Sequence, residues 1–354
     1  MRCAPSLVST PTVLALTLAA CGPDRSLSPA LSAGPASASV TDSAQIEALG
    51  AGSEKRGTIT IVLDVLPDGP VDVPFASIGQ KLEDFTLDDD ADPALPRSIT
   101  FDKVKPGTYS VQQQTVAGFT LAALICTSSP NGGSGTDNNA VFLRTRLVVI
   151  ELEPAESVTC TFPVKRDWQN GDLITYSQAS WSDDATASGL LLANFATVYA
   201  SPGWLEVGIS GPTGFSMFFT SPSAVRDYLP AGGTAGPLDA NLVNPLTTAS
   251  GTFGGEVTAL ALNVDFSDAG HTVGPTGIRF GDLTVCDFIF LQQLNGLTVR
   301  DFLGVVSTAL GGGSAVYSIA QLSPVVVDLN AAFGGGVATS FAQSQLVAGA
   351  CPGA

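Results

Sequence analysis

From Thr58 the chain alternates apolar and polar positions with a period of two. Thr58-Ile59-Thr60-Ile61-Val62-Leu63 is β-branched and reads as a half-buried strand, ended by the turn residues Leu66-Pro67-Asp68-Gly69. Ser98-Ile99-Thr100-Phe101 and Tyr109-Ser110-Val111 flank Lys105-Pro106-Gly107, a spacing that predicts a hairpin-like turn. Further strands are predicted at Phe119–Leu121, Val141–Leu143, Leu147–Ile150 and Val158–Phe162. Short strands at this spacing, without a helical period, predict a β-sandwich over residues 57–165.

Beyond residue 166 the period changes. Leu173–Tyr176, Ala196–Tyr199, Trp204–Ile209 and Phe215–Phe219 read as strands. Ser221-Pro222 then gives an N-cap and first helical position, with Pro230 stopping that helix. Phe253, Val257, Leu260, Ala261 and Val264 recur at helical spacing, although Val257–Phe266 also fits a buried strand. Thr298 and Asp301 form a capping box for a helix from Val299 to about Leu310, closed by Gly311-Gly312-Gly313. Ser323-Pro324 is read as the start of a last helix through Val326 and Leu329, ended by Gly334. The expected fold class is mainly β: a sandwich, then an α+β region over 166–354 with strands first and helices after.

Composition narrows the functional classes. The 354 residues carry 15 Lys and Arg against 32 Asp and Glu, a net charge of −17. Nucleic acid is excluded as a partner, because phosphate binding needs clustered cations. Arg2, the apolar run Leu7–Leu18 and the small residues after it form a secretory signal over residues 1–20, too short to span a membrane. Residues 21–56 are rich in Ser, Ala, Pro and Gly and read as a flexible tether. Beyond the tether stand Cys126, Cys160, Cys286 and Cys351, an even number for an oxidising compartment, with no Cys-x-x-Cys spacing. Of their three pairings, Cys126–Cys160 with Cys286–Cys351 is favoured, since each bond then closes within one region.

Two resemblances extend this reading. Leu18-Ala19-Ala20-Cys21 resembles the lipobox of bacterial lipoproteins, which implies lipidation of Cys21, membrane attachment through that lipid, and an outer-membrane or cell-surface location. Pro106-Gly107-Thr108-Tyr109-Ser110-Val111, Gly118-Phe119-Thr120-Leu121, Phe85-Thr86-Leu87-Asp88-Asp89-Asp90 and Val158-Thr159-Cys160-Thr161-Phe162 resemble the prealbumin-like modules of bacterial surface proteins, of the SpaA and collagen-adhesin B types. Such modules often carry a Lys–Asn isopeptide bond promoted by a buried acid. Here Gln113 stands in the acid's place, the first strand offers Asp64 rather than Lys, and no Asn follows Phe162, so no such bond is expected. A Cys126–Cys160 disulfide would tie the late strands instead. The C-terminal succession Gly255–Phe266, Gly296–Leu303, Ala309–Gly313 and Leu329–Phe333 is similar to exported bacterial proteins of unknown function and implies no activity.

Candidate chemistry is sparse. Asp88, Asp89, Asp90 and Asp92 form the densest acidic cluster and are candidate calcium ligands, or else a solvated loop; they lack EF-hand spacing. A loop starting at Asp265 places Gly270 correctly for an EF-hand but has Ala269 and Thr276 where oxygen donors are needed. No other cofactor is expected. The single histidine, His271, lies in a Gly-flanked segment. Gly214-Phe215-Ser216-Met217-Phe218 lacks the second glycine of a nucleophile elbow, and no Ser-x-x-Lys occurs. These features predict a non-enzymatic surface lipoprotein with a stalk, adhesion or envelope role and an extracellular protein or glycan partner. The alternative is a carbohydrate-binding or carbohydrate-cleaving lipoprotein, with Trp181 and Trp204 exposed beside carboxylates drawn from Asp183, Asp184, Asp265, Asp268 and Asp282.

Overall fold

The structure is a computed structural model that describes residues 55–90, 92–129 and 138–352. The expected signal segment, Cys21 and nearly all of the expected tether lie outside the described residues. The described residues form one compact unit. It contains two main hydrophobic cores, one drawn from Ile59 to Val164 and one from Trp168 to Leu346.

The first core lies between two sheets built from β1 (Gly57–Leu66), β2 (Gly69–Ile78), β3 (Phe85–Asp89), β4 (Ser98–Val104), β5 (Gly107–Gln113), β6 (Phe119–Leu121), β7 (Ile125–Ser129), β8 (Ala140–Phe142), β9 (Leu147–Leu152) and β10 (Ser157–Arg166). One sheet runs β4-β1-β10, with β6 and β7 both paired to β10; the other runs β3-β2-β5-β9-β8. The alternation read in the sequence sets the inward faces. Ile59, Ile61, Leu63 and Val65 of β1 are fully buried, as are Cys160, Phe162 and Val164 of β10, and they meet Val111, Val148 and Ile150 of the facing sheet. Phe75 stacks on Phe85 with centroids 5.0 Å apart and meets the edge of Phe162 at 5.1 Å.

β1 and β10 are parallel neighbours, in register from Thr58↔Ser157 to Leu66↔Lys165. Parallel strands need a crossover connection, and here the connection is the whole remainder of the sandwich. Cys126 and Cys160 face each other across the antiparallel β7–β10 pair and are joined by a disulfide. The expected hairpin at Lys105-Pro106-Gly107 is corrected: β4 pairs with β1 whereas β5 pairs with β2 and β9, so this turn passes the chain between sheets. Turn chemistry fixes a reversal but not the partner of either strand.

The second region is α+β with its elements interleaved, not strands followed by helices. It comprises α1 (Gln178–Asp183), α2 (Ala185–Val198), β11 (Leu205–Gly208), β12 (Ser216–Phe219), α3 (Pro222–Tyr228), β13 (Leu242–Val243), α4 (Gly251–Asp268), β14 (Leu283–Val285), α5 (Val299–Leu310), α6 (Ile319–Ala331), α7 (Ser340–Gln345) and β15 (Leu346–Ala348). Helix α4 is apolar almost all round and is its axis: Phe253, Val257, Leu260, Leu262, Val264 and Phe266 are all buried.

Three expectations are corrected here. Ala196–Tyr199 ends helix α2, because Asp184 caps Thr186 and Ala187 and because Ala187, Leu191 and Phe195 form a buried stripe at helical spacing. Leu173–Tyr176 makes only isolated bridges, Leu173 with Val273 and Thr175 with Gly334. Helix α6 starts a turn before Ser323-Pro324, at the Ser318–Gln321 capping box, and carries Pro324 in its interior. Pro324 has no N–H for the Ala320 carbonyl, while the Ser323 hydroxyl donates to the Ile319 carbonyl at 2.8 Å. Helices α3 and α5 have their expected caps, Ser221 and the Thr298–Asp301 box. Cys286 and Cys351 are bonded, and together with Val347 they cover Leu66 at the end of β1.

The Cys126–Cys160 bond spans 34 residues of sequence. The double substitution C126A/C160A is expected to cost about 3–4 kcal/mol, mainly by freeing the unfolded chain. Urea unfolding of the two forms, compared by midpoint and slope, measures this.

Candidate functional site

The acidic run Asp88–Asp92 lies at the end of β3 and in the loop leading to β4. The pleat of the strand divides it. Leu87 and Asp89 share the face toward the sandwich interior, and Asp88 points the other way. The Asp89 carboxylate accepts a hydrogen bond from the Val65 N–H at 2.9 Å and an ion pair from Arg97 Nε at 3.1 Å. Arg97 also donates to the Leu63 carbonyl at 3.1 Å and pairs with Asp64 at 3.0 Å, so this one guanidinium locks β3 to the end of β1. Asp89 is therefore separated from the other three acids by its partners. Burial still pushes its carboxyl above the usual range, against the pull of the Val65 N–H and Arg97.

Asp88, Asp90 and Asp92 each bring a carboxylate oxygen within 4.8 Å of the other two. The loop shapes itself on these side chains: the Asp92 N–H donates to Asp90 Oδ1 at 2.8 Å and the Ala94 N–H to Asp92 Oδ1 at 2.6 Å. Asp88 is 4% exposed, and its Oδ1 accepts no hydrogen bond from any described residue. No described Lys or Arg forms an ion pair with any of the three. Burial raises the carboxyl pKa of Asp88, and Asp90, Asp92 and Asp72 raise it further. Sequence reasoning named all four acids, but the strand parity that sends Asp89 inward was the missing step.

The residues of the isopeptide comparison are equally placed. Gln113 is buried on β5 opposite Phe75, and Asp64 faces Pro163 across the β1–β10 pair.

In the second region, the five carboxylates named as possible hydrolytic partners do not assemble as one group. Asp183 accepts from Ser182, and Asp184 caps helix α2. Asp268 and Asp282 share Arg300, at 2.5 and 3.1 Å, and Asp265 accepts a hydrogen bond from the Tyr199 hydroxyl at 2.8 Å. His271 lies in the turn after helix α4 with its ring against Phe266. Trp181 is fully buried between Tyr176 and Phe266, whereas Trp204 is 36% exposed and packs on Phe218. Sequence reasoning missed the loop Asp287–Leu291, whose Ile289 and Phe290 are 74% and 91% exposed beside a cleft lined by Asp328 and Phe341. Its signal was the apolar run Phe288-Ile289-Phe290-Leu291 outside any periodic pattern.

No protein-family model matches the chain, and no curated protein matches it. Among solved structures, part of the chain is similar to a bacterial adhesin from Mobiluncus mulieris containing intramolecular disulfide, isopeptide and ester bond cross-links. The identity is 14% and the TM-score 0.22, over 31% of this chain and 42% of that one. Part is likewise similar to the major pilin protein T-13 from Streptococcus pyogenes, at 20% identity and TM-score 0.20, over 32% and 46% of the two chains. The chain spans less than half the length of either structure.

Asp265 generates a test of the second core. Burial lifts its carboxyl to about 6, with Asp268 pushing up and the Tyr199 hydroxyl and Arg300 pulling down. A folded value of about 6 against about 3.9 in the unfolded chain makes the charged form cost about 3 kcal/mol. The raised value means that the contribution of Asp265 to stability is greatest below pH 4 and is lost as pH rises through 6. D265N, which keeps an acceptor for Tyr199, is expected to be more stable than the parent by up to about 3 kcal/mol at pH 8 and equal to it near pH 4. Urea melts at the two pH values measure the difference.

Proposed function

We propose that this chain is a non-enzymatic exported lipoprotein, held at the cell surface or outer membrane by a lipid on Cys21. The β-sandwich serves as a stalk that carries tension and the α+β region as the presented, adhesive part. The observation that carries the reading is the parallel β1–β10 pair. The chain enters the sandwich at the Gly57 end of β1 and leaves it at the Arg166 end of β10. Tension between anchor and presented region therefore pulls the two strands past one another along their length, and every bond of the ladder is loaded together. A hairpin pulled from one end would open bond by bond.

The disulfides support the same reading, since both suit an oxidising compartment. The junction between the two cores is also braced. Trp168 Nε1 donates to the Leu346 carbonyl at 3.0 Å, its backbone exchanges hydrogen bonds with the Gln343 side chain, and Lys165 Nζ donates to the Gln343 carbonyl. Exposed Ile289 and Phe290 supply an apolar contact surface of the kind that marks interaction sites. Trp181, one of the two tryptophans on which the carbohydrate reading relied, is fully buried, and Trp204 packs on Phe218.

Two measurements test the proposal. Metabolic labelling with a palmitate analogue is expected to mark the parent chain and not C21A, which should be released from the membrane fraction. In single-molecule pulling, attachment points at residues 57 and 166 are expected to give a higher unfolding force than points at 57 and 104, which face each other at one end of the antiparallel β1–β4 pair. Reduction should lengthen the released chain by about 120 Å, since Cys126 and Cys160 hold back 34 residues of about 3.5 Å each. Equal forces in the two geometries would remove the stalk reading.

A further inference from the structure

We infer that Asp88, Asp90 and Asp92 form a calcium site at the β3–β4 end of the sandwich. The geometry fits the ion. Calcium takes oxygen ligands at about 2.4 Å, so two oxygens on opposite sides of it are at most about 4.8 Å apart. The three carboxylates lie within that limit of one another. Exposed acidic groups often approach each other without a ligand, but Asp88 is not exposed. It is 4% accessible, its Oδ1 is unpartnered among the described residues, and its carboxylate is one of the three that converge. A buried carboxylate without a donor or counter-charge is costly. Asp72 adds a further negative charge nearby, and Arg97 is committed to Asp89 and Asp64.

The side chains are graded for such a role. Asp88 lies at the base, Asp90 is half-buried and Asp92 is exposed, which leaves the outer side of the ion for water. Magnesium suits the site less well, because it holds its water shell tightly and demands octahedral geometry at 2.0–2.1 Å, as a rule of that ion. Bound calcium would tie β3, and through it Arg97 and β1, to the loop before β4. This inference rests on the convergence of the three carboxylates and on the buried, unpartnered Asp88, and is independent of the surface role proposed above.

The test uses the chain from Gly22 to Ala354, with D90N/D92N as the variant, because those positions are the less buried of the three. Calcium chloride raised to about 10 mM covers the affinity range of extracellular modules. At ten times Kd it is expected to raise the unfolding midpoint of the parent on the order of 5 °C, with one ion bound by calorimetry, and to leave the variant unmoved. In chelator the order should reverse, with the variant the more stable because two repelling charges are gone. An equal rise with sodium chloride of matched ionic strength, a rise undiminished in D90N/D92N, or no heat of binding would each overturn the inference.

Discussion

The pairing of the first strand of the sandwich with its last is the interaction on which the rest of this region depends. Thr58 meets Ser157 and Leu66 meets Lys165, so contacts must close over a separation of about a hundred residues before either sheet is complete. Such closure is entropically expensive and slow to form. The sequence answers with strong local terms on both partners. Ile59, Ile61, Leu63 and Val65 against Val158, Cys160, Phe162 and Val164 give two alternating apolar faces that lose every inward contact if the register slips by one residue. The Cys126–Cys160 bond shortens that separation, since it ties β7 covalently to β10.

Charge is handled against the same frame. With 32 acids and 15 strong bases, most carboxylates must do without a cation. The cations that are spent on ion pairs are spent at junctions. Arg97 joins Asp64 and Asp89, and so β1 to β3. Arg166 joins Asp172, where β10 leaves the sandwich, and Arg300 joins Asp268 to Asp282 around helix α4. Asp265 is satisfied by a hydroxyl instead. What distinguishes Asp88, Asp90 and Asp92 is that they converge on one another with no described cation between them, while Asp88 is buried and its Oδ1 unpartnered.

The legible parts of the fold are those set by local periodicity. Strands β1, β9 and β10 and helices α3 and α5 follow from alternation, caps and stops, whereas α4, apolar almost all round and without a side-chain cap, reads equally as a buried strand. The misread parts turn on information that is not local. Lys105-Pro106-Gly107 says that the chain reverses, but only the competing partners β1, β2 and β9 decide that it also changes sheet. Thr197-Val198 has strand-like residues, yet the Asp184 cap and the buried Leu191 and Phe195 outweigh that preference. Pro324 marks a helix start by rule, but the Ser318–Gln321 box had already started it.

The site was half legible for a related reason. Four aspartates within five residues suggest one cluster, whereas a strand allows only every second side chain on a face. Asp89 is inward because Leu87 is, and Leu87 is inward because Phe75, Phe85 and Phe162 fill the core beside it. The same parity that gives Asp89 to Val65 and Arg97 leaves Asp88 on the opposite side, where the loop through Pro96 closes over it and the Asp88 N–H bonds the Pro96 carbonyl at 3.3 Å. The acidic site is thus a consequence of how the hydrophobic core sets the phase of β3. A one-residue insertion before Phe85 would exchange the environments of the two aspartates, placing the unpartnered carboxylate in the core and its partnered neighbour in the loop.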